Sequence, residues 1–388
     1  MMKFVKVLVA ILLSLAFAAF SACGSVSTGG GSESAKAEGI IVISPKNGDK
    51  IRLANAEITE FTKDYHFGLS VEFIDKTKGD RYFPESVSVE WEEDGVSSGG
   101  SELVYAVEIS LNENMSDKTT FYATENKLNI ENLQSGKRYY IRIRNEENGK
   151  TSDVKSFDTE KLPRTVKIEG VSNTRDVGGY AVGTDGDKTV KQGMIYRGAA
   201  PDEATERGKK TFGELGIKTI VDLREEFARK RAVSGVYYAE LPVNGAPCYA
   251  SGEKSFIKPE YTDALVRSVR IFADENNYPV YFHCQIGRDR TGTLAFILNG
   301  LLGVSYNDLC LDYELSCFSE AGCRDYADGE KQVTNMTSMF NAMYSYFMKY
   351  SRAKGDERGD LQSGIAWFLK DNGITEEEIS NIKRIMTE

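Results

Sequence analysis

Two histidines in 388 residues leave little from which to build a histidine-ligated metal centre, and neither metal nor cofactor is expected. Six cysteines are too few for a disulfide-dense scaffold. Basic residues are the minority, 48 against 58 acidic, and the formal net charge of −10 lacks the basic field of a general nucleic-acid binder. That shortage does not exclude an anionic substrate, because a few arginines can dominate a pocket. Core-forming residues are plentiful: 41% hydrophobic and 11% aromatic content excludes global disorder. The length suits two domains better than one.

Lys3 and Lys6 precede an apolar run from Val7 to Phe20 that is broken only by Ser14. A positive start, a short apolar run and small residues at its end make a secretory signal. The run is shorter than the roughly 20 residues that a bilayer core requires. Phe20-Ser21-Ala22-Cys23, followed by Gly24, resembles the lipobox of bacterial lipoproteins, with Phe20 where an aliphatic residue is usual. The resemblance implies removal of residues 1–22, lipidation of Cys23 and anchoring of the mature chain outside the cytoplasm; otherwise the chain is simply secreted. Residues 24–39 are rich in glycine and serine and read as a flexible tether.

From Ile40 to about Glu160 the pattern has a period of two, as in Val87-Ser88-Val89-Glu90-Trp91, Tyr105 to Leu111 and Tyr140 to Arg144. Turn clusters such as Glu93-Asp94-Gly95 and Glu147-Asn148-Gly149 separate these runs. Short alternating strands at this spacing predict an antiparallel β-sandwich over 40–160. Leu128 to Leu133, Gly136, Tyr139-Tyr140 and the closing Ser156-Phe157 resemble the late strands of fibronectin type III domains. Trp91 is expected in the core and His66 on a strand. The expected role of this domain is a spacer, or a wall beside the active site. Leu162-Pro163-Arg164 marks its boundary.

Beyond Pro163 short β-branched and aromatic runs, Ile217 to Leu223 and Pro279 to Phe282, alternate with helical patterns near 203–214, 260–276, 291–302 and 306–316. Strand–helix alternation predicts an α/β domain over 163–388 with a largely parallel central sheet. Ser305 with Asp308, and Thr375 with Glu378, have the spacing of helix starts.

The chemistry concentrates in Val280-Tyr-Phe-His283-Cys284-Gln285-Ile286-Gly287-Arg288-Asp289-Arg290-Thr291-Gly292. A buried strand feeds a short loop, and a helix starts near Arg290. Backbone N–H groups of such a loop converge on one point, to which the helix N-terminus adds positive potential. That point suits a phosphate, with Gln285, Ile286, Gly287, Arg288 and Thr291 around it. Cys284 lies at its floor, where the same field favours the thiolate. Arg290 can fork two N–H bonds onto phosphoryl oxygens. The Thr291 hydroxyl can donate to the thiolate, and His283 orients the loop. A zinc site fits poorly, because His283 and Cys284 are adjacent and no matched second pair exists.

The string matches the signature of cysteine-dependent phosphatases, and the whole second domain resembles the bacterial atypical tyrosine phosphatases whose loop is H-C-x-x-G-K-D-R-T-G. Asn173-Thr-Arg175-Asp176-Val-Gly178-Gly179, Tyr196-Arg197, Asp222-Leu223-Arg224 and Asp312-Tyr313 agree with that family. The family's loop lysine is Arg288 here. The resemblance implies a tyrosine-phosphatase fold and a phosphocysteine intermediate on Cys284, with Asn173, Arg175, Asp176 and Arg197 as supporting residues. It implies Asp289 as general acid, with Asp222 as the alternative; otherwise Asp222 is a structural partner of Arg175 or Arg197. The substrate is expected to be a phosphotyrosine protein, a phosphoinositide or an inositol polyphosphate, as for a phytase. Arg288 is available for a second phosphate or a lipid headgroup.

Two other classes compete. A rhodanese-type sulfurtransferase also uses a loop cysteine, but Arg290-Thr291 and Asn173 to Gly179 favour a phosphatase. A catalytically dead surface binding module is disfavoured by the intact Cys284 and Arg290. Arg229-Lys230-Arg231 reads as a solvated charge run. The stripe Met336, Met339, Phe340, Met343, Tyr344, Phe347 and Met348 reads as core or lid packing. Cys248, Cys310, Cys317 and Cys323 have the option of pairing outside the cell.

Overall fold

Alternation does produce strands. The computed structural model describes residues 39–73, 79–94, 103–183, 185–243, 258–320 and 330–388. The first strands are β1 (Ile40–Ser44), β2 (Asp49–Ile51), β3 (Val87–Glu93), β4 (Tyr105–Ser110), β5 (Thr119–Ala123), β6 (Lys127–Ile130), β7 (Arg138–Asn145) and β8 (Lys155–Thr159). They form two sheets, ordered β1-β3-β6 and β2-β8-β7-β4-β5. All pairs are antiparallel except β2 with β8. Val87, Val89 and Trp91 of β3 turn inward to meet Tyr105, Val107, Ile141 and Ile143. Trp91 lies edge-on to Tyr105 with ring centroids 5.3 Å apart, so it is a core aromatic as expected.

The all-β expectation fails between β2 and β3. Residues 52–86 carry two helices, α1 (Ala56–Lys63) and α2 (Ser70–Phe73). Asn55 caps α1, its Oδ1 accepting from the Ile58 amide at 2.9 Å. Ile58 and Phe61, three apart and therefore on one helical face, are fully buried. With Ala54, Leu69 and Tyr82 they join the core of the second domain, not that of the sandwich. Phe61 packs edge-on against Phe318 at 5.2 Å. The neck of this excursion closes where the Glu85 amide donates to the Leu53 carbonyl at 2.7 Å. His66, expected on a strand, lies in the turn between α1 and α2. A division at 160/163 therefore separates the sheets but cuts through a shared core.

The second domain contains β9 (Arg175–Asp176), β10 (Ala181–Val182), β11 (Lys188–Thr189), β12 (Ile195–Gly198), α3 (Glu206–Glu214), β13 (Thr219–Asp222), β14 (Tyr237–Glu240), α4 (Pro259–Arg270), β15 (Val280–His283), α5 (Asp289–Leu302), α6 (Tyr306–Glu314), α7 (Glu330–Ala353), α8 (Leu361–Asp371) and α9 (Glu376–Met386). Its main sheet has the order β14-β13-β15-β12-β9, parallel except for β9. Val280 and Phe282 of β15 face one core while Tyr281 faces the other, against Phe212 of α3. A parallel strand buried on both faces is apolar throughout, which explains the run before Cys284.

Helix α5 is buried from Thr291 to Leu302 and accordingly lacks a polar face. Ser305 and Thr375 cap α6 and α9 as their spacing predicts. Phe340, Met343 and Phe347 are core residues of α7; the side chains of Met336 and Met339 lie outside those described. Cys310 and Cys317 are buried and are not joined to each other in a disulfide, while Cys248 and Cys323 lie outside the described residues, as do Cys23 and the signal. No helix among the described residues is long and apolar enough to cross a membrane.

Candidate active site

Strand β15 ends at His283, and Cys284 follows at the sheet's carboxyl edge, 3% exposed. The loop then turns through Gly287, whose φ is +73°, into α5. A Cβ at Gly287 would lie 2.3 Å from the Gly198 carbonyl carbon, so only glycine fits this turn beside β12.

Three successive loop carbonyls are held from outside. The Gln285 carbonyl accepts from the Ala200 amide at 3.1 Å, the Ile286 carbonyl from Asn173 Nδ2 at 2.9 Å, and the Gly287 carbonyl from Arg197 Nη2 at 2.8 Å. In a planar trans peptide the N–H points opposite to the C=O. The amides of Ile286, Gly287 and Arg288 therefore point to the other side of the loop, making a cradle for an oxyanion.

The anchors are themselves fixed. Asn173 sits in the left-handed region, φ +58°, which asparagine tolerates. Its Oδ1 accepts from Arg175 Nη1 at 2.7 Å. Asp312 of α6 accepts from Arg175 Nε at 2.8 Å through one oxygen and from Arg197 Nη1 through the other. Burial pushes the Asp312 carboxyl up, but the two guanidiniums outweigh it and hold the group below its usual range. Asp176, expected as a supporting residue, accepts from Arg164 and from the amides of Gly178 and Gly193. It braces the layer behind Arg175.

Arg290, in the first turn of α5, donates through Nη1 to Glu225 Oε2 at 3.0 Å and to the Leu223 carbonyl at 3.2 Å. Asp289 Oδ1 accepts from Tyr313 OH at 2.8 Å and from Arg288 Nε at 3.1 Å. Arg288 thus pairs with its own neighbour in sequence, and its side chain is only 9% exposed. The expected bond from Thr291 to Cys284 is not made here: Thr291 Oγ1 is buried and has no hydrogen-bond partner among the described residues.

Asp222 is not a partner of Arg175 or Arg197. It is buried, and Arg224 wraps it, donating at 3.0 Å to Oδ1 and 2.9 Å to Oδ2. Burial raises its carboxyl, yet Arg224 and the nearby His283 hold it lower than usual. Arg224 also donates to Asp202 at 2.6 Å and to Gln285 Oε1 at 3.3 Å. Asp222 is thus enclosed by Arg224, whereas the Asp289 side chain is 31% exposed. His283 Nδ1 lies 3.0 Å from the Cys284 carbonyl, an acceptor only, so Nδ1 carries the proton. Burial pushes its imidazolium pKa down, and the bond to the Cys284 carbonyl holds the ring against the start of the loop. Arg231 and Lys230 are exposed and pair with Glu240 and Glu203, as expected of a solvated charge run, but Arg229 is not solvated: its side chain is 15% exposed, pairs with Glu240 and donates through Nε to the Arg224 carbonyl at 3.1 Å.

Glu225, Asp312 and Arg224 were not singled out by sequence as members of the site. The available signal for Arg224 and Asp312 was their position inside the segments Asp222-Leu223-Arg224 and Asp312-Tyr313; Glu225, one residue beyond the first, had none.

A named relative from Cupriavidus necator, a candidate tyrosine-protein phosphatase, is 29% identical over 167 residues. The match takes in 38% of this chain, and the chain spans only 60% of that relative's length. Among solved structures, the core catalytic domain of the PP-IP phosphatase Siw14 from S. cerevisiae, in complex with citrate, is 17% identical, with 46% of this chain and 96% of that chain covered, at a TM-score of 0.27. A second Siw14 catalytic core is 19% identical with the same coverage and TM-score. At those scores neither superposition carries an argument about this chain. The sequence profile of the tyrosine phosphatase family, however, matches residues 166–388, more than half of the 388 residues and the whole of the cradle described above, and the chain belongs to that family.

Proposed function

We propose that this chain is an extracytoplasmic phosphomonoester hydrolase of the protein tyrosine phosphatase type, working through a phosphocysteine on Cys284. The observation that carries the reading is the row of three anchored carbonyls between Cys284 and Arg290, which leaves the three following amides facing away from their anchors and open to an oxyanion. A phosphate bound there presents phosphorus to the Cys284 sulfur. The thiolate forms the S–P bond as the P–O ester bond breaks, and the departing oxygen takes a proton from Asp289. Water then attacks phosphorus, the S–P bond breaks, the thiolate is restored, and the Asp289 carboxylate takes the proton from that water. Arg290 follows the charge of the equatorial oxygens.

Phosphotyrosine protein is the favoured substrate over phosphoinositide or inositol polyphosphate, because Arg288 is engaged with Asp289 rather than turned out as a clamp for a second phosphate. The lipobox at Cys23 supports a membrane-anchored lipoprotein, otherwise a secreted protein. The strand orders β1-β3-β6 and β5-β4-β7-β8 support a fibronectin type III kind of sandwich, with residues 52–86 as an excursion between its early strands.

The test is a panel of phosphotyrosine peptide, phosphoserine peptide, phosphoinositides and phytate, offered to wild type and Cys284→Ser. Wild type is expected to hydrolyse phosphotyrosine, to be inhibited by vanadate and to be indifferent to chelators. Cys284→Ser is expected to lose turnover and still bind phosphate. Turnover that survives this change, or thiosulfate sulfurtransfer in place of hydrolysis, would overturn the reading. Mass spectrometry of the native protein is expected to find an acylated Cys23.

A further inference from the structure

The excursion from the sandwich ends at the phosphate loop's support. Tyr82 is 1% exposed, and its hydroxyl oxygen accepts from Arg175 Nη1 at 2.8 Å. The same nitrogen donates to Asn173 Oδ1 at 2.7 Å, and Asn173 Nδ2 donates to the Ile286 carbonyl at 2.9 Å. That carbonyl belongs to the peptide whose N–H is the Gly287 amide. Three hydrogen bonds in series therefore connect a tyrosine of the first domain to a cradle donor of the second. Arg175 also stands over the Tyr82 ring, 5.7 Å from its centroid. Burial pushes the Tyr82 phenol up to about 12, so it is a neutral acceptor at physiological pH.

The neighbouring contacts hold Tyr82 in place. Ser172 Oγ donates to Asp80 Oδ1 at 2.9 Å, and the Ser172 carbonyl accepts from the Ala199 amide at 3.0 Å. The Arg81 amide donates to the Phe318 carbonyl at 2.9 Å, just past α6, which carries Asp312. Tyr65 OH and the Gly68 amide both donate to the buried Glu314, two residues from Asp312.

We propose that Tyr82 is a positioning residue of the phosphate loop, so that the stretch 79–86 before β3 is part of the phosphatase site and not a spacer. Its consequence for turnover rests on the phosphatase reading; its consequence for anion binding does not. Tyr82 fixes the Arg175 fork, Arg175 fixes the Asn173 amide, and Asn173 turns the Gly287 N–H toward the anion.

Tyr82→Phe keeps the ring, its packing and its place under Arg175, so the fold is retained, and a melting curve checks this. The probe is tungstate, titrated calorimetrically into full-length Cys284→Ser with and without Tyr82→Phe. Loss of one hydrogen bond in the series is expected to weaken tungstate binding about three- to tenfold. In an Asn173→Ala background, where the series is already broken, Tyr82→Phe is expected to add less than twofold, because the two act through one path. Equal tungstate affinity with and without the hydroxyl, or fully additive losses, would overturn the proposal. Wild type that binds tungstate in this Tyr82-dependent way yet hydrolyses no phosphate ester would leave the positioning role standing and remove the phosphatase reading.

Discussion

Arg290 Nη1 lies 3.0 Å from Glu225 Oε2, so the guanidinium is aimed before any phosphate arrives. A preoriented fork loses less conformational freedom on binding and meets the transition-state charge in the right plane. Glu225→Gln is expected to lower kcat/KM for an aryl phosphate about tenfold, because a neutral amide orients the fork less firmly. Arg290→Lys is expected to cost about 100- to 1,000-fold, the size of losing one preorganised donor to a developing oxyanion. Steady-state kinetics on both variants checks the order; an Arg290→Lys enzyme as active as Glu225→Gln would count against Arg290 as the transition-state ligand.

Asp289 and Arg288 share one ion pair, which couples their variants. An acidic phenol leaves without much help, whereas an alkyl alcohol needs a proton. Asp289→Asn is therefore expected to impair alkyl phosphates at least tenfold more than a nitrophenyl phosphate. Arg288→Met acts through the same carboxylate, so its effect on alkyl substrates is expected to vanish in the Asp289→Asn background. Leaving-group dependence measured on the four proteins reads both outcomes.

His283 makes stability depend on pH. Burial lowers its pKa in the folded state below the unfolded value of about 6.5. The unfolded chain then binds more protons below that pH, so stability is complete above it and falls as pH drops toward the folded pKa. The slope is at most about 1.4 kcal/mol per pH unit. Urea unfolding at pH 7.5 and 5.5 is expected to show a smaller loss for His283→Asn than for wild type.

Phe61 lies in the sandwich's excursion but belongs to the core around α5. Phe61→Ala is expected to destabilise the chain by about 3–5 kcal/mol, the usual range for a buried phenylalanine. Fluorescence and activity are expected to fall together on heating, because the excursion and the phosphatase core unfold as one. Loss of the sandwich signal alone would show two independent units.

The Cys284–Arg290 loop and the parallel sheet were legible in the sequence because their determinants are local. A doubly buried strand, a glycine that permits a positive-φ turn and a helix start occupy one short stretch, Val280 to Gly292. Period-two runs located β3, β4 and β7. The helices at 56–63 and 70–73 were missed because each is short: Ile58 and Phe61 offer a single i,i+3 repeat, too little to displace a strand reading.

Tertiary structure alone decided who holds the loop. Asp312 meets Arg175 across 137 residues of sequence, Tyr82 meets Arg175 across 93, and Arg197 meets Gly287 across 90. Hydrogen bonds between such distant segments leave no periodicity to read. Which carboxylate pairs with which arginine was set by packing: Asp222 lies against Arg224 two residues on, and that left Arg175 and Arg197 to Asp312. Sequence determined what chemistry the loop can do, because that depends on residue type and local backbone. The geometry of its amides, and the part Tyr82 takes in it, depend on how separate stretches of chain fill one core, and only the folded arrangement carries that information.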